Sequence, residues 1–290
     1  MREKDTITVY WSPSVMVDKI ALNLLFPKPV SLASKLHGEK IAGSKMLQCP
    51  ANRETMRNIF VMYAGMDDTI NIPEGRLEEM NNSENYTELI DNNSIVELRK
   101  NRASSFPGYT NVLYNLQWLV FADEPVEMRL TAPWYPATTP CEGALFSFGQ
   151  MDVGQWFRTM NLDYHIPHGT SKFEVKQGDA LCYMEFMTDK KIVFKRFNLT
   201  PELYNIAEEL GQVSIRYNQN QTIQSRYDMA ERSGIRDLVM HHIKKNVVES
   251  ADMVYKGQND TVFDQSNFVA DSTVENLSKE DKCPYPHGVE

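Results

Sequence analysis

Apolar and polar positions alternate with a period of two through the middle of the chain. Val126, Met128 and Leu130 are separated by Glu127 and Arg129, the pattern of a strand with one buried and one wet face. Residues 6–11 (TITVYW) and 57–63 (RNIFVMY) are rich in β-branched and aromatic side chains and predict two earlier strands. Residues 116–121, the turn 122–125 and residues 126–130 read as a β-hairpin. Further short strands are predicted over 144–148, 155–158, 172–175, 180–187 and 192–197, with Gly, Asp and Pro between them. Short strands at such spacing predict a β-sandwich or jelly-roll body rather than a parallel sheet.

The pattern changes at Thr200-Pro201-Glu202, where a capping threonine precedes proline at a first helical position. One helix is expected from there to Gly211. A longer one is expected over 227–248, carrying Ile235, Leu238, Val239, His242, Ile243 and Val247 at helical spacing, with Gly234 as its weak point. The expected class is therefore α+β, mainly β: a strand-rich body over 1–199 and a helical cap over 200–248. Residues 72–97, with Pro73, Gly75 and paired asparagines, read as a long polar excursion. Residues 249–290 lose periodicity and read as a flexible acidic tail.

Composition sharpens this outline. A chain of 290 residues with 42% hydrophobic residues can bury a real core, which excludes a disordered or collagen-like polymer. The net charge of -9 is uneven: +2 over 1–71, -6 over 72–97, +1 over 98–248 and -6 over 249–290. The acidic excess thus sits in two segments beside a near-neutral body, and the overall field disfavours nucleic acid. Cys49, Cys141, Cys182 and Cys283 are widely spaced with no Cys-x-x-Cys pair, which argues against a paired zinc site. No signal peptide and no membrane span are read, so the expectation is a soluble, non-secreted protein whose cysteines are thiols.

Four groupings could carry chemistry. His165 and His168, followed by Glu174, offer the imidazole and carboxylate ligands that a divalent metal (Fe, Mn or Zn) favours in cupin-type barrels. Two histidines three apart would face opposite sides of a strand, however, and loop histidines with local hydrogen bonds are the plainer reading. Cys141 and Cys182 are candidate nucleophiles, but Cys182 falls on the core face of a predicted strand. Residues 190–197 (KKIVFKRF), including Lys195 and Arg196, resemble a basic-aromatic strip for single-stranded nucleic acid, although alternation splits it and a lysine-protected edge strand explains it as well. Trp156-Phe157-Arg158, with Asp163 nearby in sequence, reads either as a carboxylate-recognising group or as an ion pair that holds a turn. No Gly-x-Ser-x-Gly elbow, phosphate loop or dinucleotide fingerprint is present.

Several short motifs lie in one order along residues 45–248: Gln48-Cys49-Pro50-Ala51, Phe121-Ala122-Asp123-Glu124, Trp156-Phe157-Arg158, and Lys176 to Leu181 followed by Tyr183, Phe186 and Thr188. In these the chain resembles a family of uncharacterised proteins encoded by tailed bacteriophages of marine bacteria. The resemblance implies a viral setting, in host-cell cytoplasm or virion, and no catalytic residues. Together with the missing catalytic constellation and the two long polar segments outside the core, the expectation is a non-enzymatic structural or protein-binding protein that uses its loops and acidic segments for contacts, with a protein partner, no cofactor, no membrane and homo-oligomers allowed. Its binding residues would be Trp156, Arg158, Lys195 and Arg196. The alternative is a cupin-like metal enzyme using His165, His168 and Glu174.

Overall fold

The structure is a computed structural model and describes residues 6–14, 26–38, 49–83, 88–90, 97–100, 106–135, 138–216 and 222–248. In chain order the strands are β1 Thr6–Pro13, β2 Val30–Ser31, β3 Ile59–Tyr63, β4 Asp68–Asn71, β5 Glu88–Ile90, β6 Glu97–Lys100 and β7 Tyr109–Ala122. They continue as β8 Glu127–Thr131, β9 Leu145–Phe146, β10 Gly149–Asp152, β11 Met160–Pro167, β12 Lys172–Val175, β13 Ala180–Phe186 and β14 Lys191–Arg196. The helices are α1 Leu32–Gly38, α2 Pro50–Thr55, α3 Arg76–Asn82, α4 Pro201–Arg216, α5 Ile223–Arg232 and α6 Ile235–Lys245. This is the α+β, mainly β class that the alternation predicts.

Strand β7 organises the larger sheet, whose order is β14-β1-β7-β11-β9, with β6 and then β5 lying beside the first half of β7. The second sheet runs β10-β8-β13-β3-β2, and β12 pairs with β4 in a separate ribbon. Alternation then sorts the side chains into layers. Val9 and Trp11, Trp118 and Val120, and Ile192 and Phe194 point from the larger sheet into one core with Met62, Met128, Leu130, Cys182 and Met184 of the second. On the opposite face of the larger sheet Tyr10, Leu119 and Phe121 pack under Leu203 and Ala207 of α4 and Val239 and Ile243 of α6. The outer face of the second sheet is covered by Leu32 and Leu36 of α1. Two sheets thus share a core and each carries helices on its outer face.

The predicted hairpin does not form. Strands β7 and β8 belong to different sheets, because β1 and β11 already occupy both edges of β7 at Trp118. Residues 123–126 instead carry the chain from one sheet to the other. Asp123 fastens this corner, its N–H donating to the Thr8 carbonyl and its Oδ1 accepting from Thr8 N, each at 3.0 Å. The strand predicted over 155–158 is a turn and coil, whereas a strand not predicted as such, β11, runs through His165.

Within 72–97, the excursion is in part core: Leu77 and Met80 of α3 are fully buried. Their spacing is that of one helix face, and Thr110 Oγ1 donates to the Leu77 carbonyl at 2.6 Å. The long helix expected over 227–248 is two helices. Gly234 breaks them at φ +67°, a left-handed conformation that glycine adopts without Cβ strain. The start of α4 follows the sequence closely, with Thr200 Oγ1 accepting from Leu203 N at 3.3 Å. The predicted tail, 249–290, lies outside the described residues. Among the described residues no helix is long and apolar enough to cross a membrane.

The core holds weak acids that burial keeps protonated. Burial raises Tyr114, Tyr164 and Cys182, and pushes Tyr227 up to about 12. Tyr114 also donates to Asp68 Oδ2 at 3.2 Å, and that carboxylate resists a second negative charge beside it. A raised folded-state pKa stabilises fully below the unfolded value and is lost as the pH climbs above it. Urea unfolding at stepped pH should therefore show stability steady up to roughly pH 8.5, where unfolded cysteine begins to ionise, and falling steeply beyond roughly pH 10, where unfolded tyrosine does. A flat profile to pH 12 would contradict this account of the core.

Candidate functional site

The turn after β10 is where strands and C-terminal helices are tied together. Asp152 is buried, and its Oδ1 accepts from Val126 N at 3.0 Å and Gly154 N at 2.8 Å, while Oδ2 accepts from Gln155 Nε2 at 2.7 Å. Its own N–H donates to the Tyr227 hydroxyl of α5 at 2.7 Å. From α6, Arg236 donates to the carbonyls of Gly154 and Asp123 at 3.1 and 2.7 Å. Phe157 plugs the turn into the sheet, fully buried and edge-on to Phe121.

Trp156 and Arg158 flank that plug. The Arg158 guanidinium lies 4.7 Å from the Trp156 ring centroid, and its Nη2 donates to the Gly211 carbonyl of α4 at 2.9 Å. Burial, and then the neighbouring Arg226 guanidinium of α5, bring Arg158 down to about 10. Among the described residues no partner is found for three buried donors: Nε of Arg158, Nε of Arg226 and Nε1 of Trp156. The pairing of Arg158 with Asp163 read from the sequence is absent. Asp163 is on the outer face of β11, where it accepts from Asn111 Nδ2 at 2.7 Å.

The other two binding residues read from the sequence stand elsewhere, on β14. Lys195 is exposed, and Arg196 reaches over the Trp11 ring at 5.7 Å. β14 ends the sheet, so the edge-strand reading of its lysines holds, and Phe194 and Phe197 enter different cores as alternation requires.

The metal candidates do not gather. Among the described residues no three His, Cys, Asp or Glu side chains are placed to hold one ion. His165 faces outward from β11, its ring 4.7 Å from that of Phe106 and its Nε2 3.5 Å from Asn111 Nδ2. His168 falls in the turn beyond the strand, its N–H donating to the Gly108 carbonyl at 2.9 Å. Glu174 is half-buried on β12, in the separate ribbon, where Lys172 bonds its Oε1 at 2.9 Å and holds the carboxyl below its usual range. Strand period and strand pairing together send the three apart. The two cysteines are equally quiet: burial raises both Cys141 and Cys182, the opposite of an activated thiolate.

Two features escaped the sequence reading. Arg226 is 68 positions from Arg158 and joins it only through the packing of α5 on the turn. The second is an apolar rim at β9, where the larger sheet ends among the described residues. Phe106, Leu145 and Phe148 are 47%, 44% and 70% exposed. Leu145 of β9 pairs with His165, Phe106 meets the same histidine, and Phe148 packs near Phe146. The alternation Met160, Leu162, Tyr164, Ile166 is a sequence signal that would have placed β11, and with it this edge. No family model and no curated protein matches the chain.

Proposed function

We propose that the chain is a non-enzymatic protein-binding protein that docks a partner on the rim formed by Phe106, Leu145 and Phe148. The supporting observation is the concentration of three large exposed apolar side chains at β9, the last strand of its sheet among the described residues. Aromatic side chains have few rotatable bonds to order on binding and are enriched in protein interfaces, and an edge strand offers backbone donors and acceptors to an incoming strand. The partner is a protein segment with apolar side chains and a free backbone. The phage resemblance makes a virion component or an intracellular factor of infection its natural source.

The double variant Phe106→Ser/Phe148→Ser tests this reading. In the complex isolated from the protein's own source, it should weaken partner binding by about 10-fold or more. Its melting temperature should stay near that of the parent, since Phe148 is mostly and Phe106 about half in water. Undiminished partner binding by the variant, or a chain that is monomeric and turns over a substrate, would overturn the proposal.

A further inference from the structure

Arg226 occupies a place that the energetics of the fold disfavour. It sits in the first turn of α5, where the helix dipole presents its positive end, and no acidic residue shares that turn. A second guanidinium, Arg158, is close enough for the two charges to oppose each other. Among the described residues no hydrogen bond or ion pair offsets this: Arg226 Nε is buried and unpaired, Asp152 is spent on Val126, Gly154 and Gln155, and Asp163 is engaged with Asn111. Like charges brought near each other at half-buried positions, each with a buried Nε left idle, are costly, and such strain persists where a ligand of opposite charge relieves it.

We propose that Arg158, Arg226 and Trp156 form a binding site for a small phosphate-type oxyanion, seated where the turn 152–158 meets α4 and α5. Among the described residues the buried groups of this site left without a partner are all donors: the Nε of each guanidinium and the indole Nε1. One guanidinium suffices for a carboxylate, gripped in a two-pronged pair. Two guanidiniums with a helix N-terminus behind them match the greater charge and larger oxygen count of a phosphate. Trp156 lies against Arg158 and limits the guanidinium's freedom, so that less is lost when the anion arrives. The Gly211 carbonyl takes one donor of Arg158 and orients the rest. The site is separate from the apolar rim and stands whether or not that rim binds a protein.

Calorimetric titration of the full chain at constant ionic strength, with inorganic phosphate, phenyl phosphate and acetate, tests the assignment. Inorganic phosphate should bind saturably and raise the melting temperature, and acetate should do neither. Phenyl phosphate binding as tightly as phosphate identifies a phosphate ester as the natural ligand, and exclusion of phenyl phosphate identifies the free ion; both outcomes support the site. Arg226→Gln should weaken phosphate about 10-fold or more, the loss of one charge-assisted contact. Without phosphate, the same variant should melt no lower than the parent, because it loses no bond and sheds a repulsion. A lower melting temperature would mark Arg226 as a structural residue and overturn the proposal. So would phosphate affinity unchanged in the variant, acetate binding equal to phosphate, or no saturable response to either phosphate compound.

Discussion

Gly154→Ala should lower the melting temperature by about 6–12 °C, the equivalent of about 3 kcal/mol in a domain of this size. The cause is contact rather than conformation, since the backbone of Gly154 is not in the left-handed region. A Cβ there would stand 2.5 Å from the Glu124 carbonyl oxygen and 2.8 Å from both the Glu124 carbonyl carbon and Pro125 Cα. All three are backbone atoms of the corner that passes the chain from the first sheet to the second, so no side chain can swing aside. Yielding would move the corner or the turn, and the turn carries the Asp152–Tyr227 and Gly154–Arg236 bonds that seat α5 and α6. Gly169→Ala is the control, because a Cβ at that position meets nothing within 4 Å. Thermal melts of the two variants that coincide would refute the close approach at Gly154. The damage should also reach Arg226, and phosphate binding should weaken alongside stability.

Trp118→Ala should cost about 3–5 kcal/mol, the largest loss expected of any single side chain in the shared core. Trp118 is fully buried where β7 is paired on one side with Pro13 of β1 and on the other with Met160 of β11. Its ring centroid is 5.5 Å from that of Trp11 and 5.2 Å from the edge-on Phe26. Truncation leaves a cavity walled by paired strands that cannot close in. Trp118→Phe should cost much less: it keeps most of the apolar surface and removes an indole N–H that is buried without a partner among the described residues. Urea denaturation of both variants separates the terms. Equal losses would show that the indole ring, rather than the cavity, is what the core requires.

The contrast between these two residues shows what the sequence displays. Trp118 is one of a period-two series, and its burial follows from the same alternation that places Val120 and Ala122 beside it. Residues 172–175 match β12, residues 180–187 and 192–197 each match their strands to within a residue, and Thr200-Pro201 marks the start of α4, because these signals are local: rotamer, proline and capping preferences act within a few positions. The alternation through His165 was equally local but was obscured by Pro167 at the end of β11. Gly154 carries no local signal, since its constraint comes from backbone thirty positions earlier.

Candidate chemistry divides in the same way. Trp156 and Arg158 are neighbours in sequence and remain neighbours in space, so their reading as a binding pair keeps its geometric basis. His165, His168 and Glu174 are also close in sequence, yet a strand, a turn and a separate ribbon place them apart. By itself the sequence determined which face of β8, β13 and β14 is apolar, where α4 begins, and that the body is a near-neutral, mainly β α+β structure. Only the tertiary structure decided that β7 and β8 lie in different sheets, that Leu77 and Met80 belong to the core, and that the charge of Arg226 comes within reach of Arg158. Periodicity tells a strand which side to bury and says nothing of which edge it will find free. Pairing is settled by competition among all strands at once, and two like charges meet only when that competition has brought their elements together.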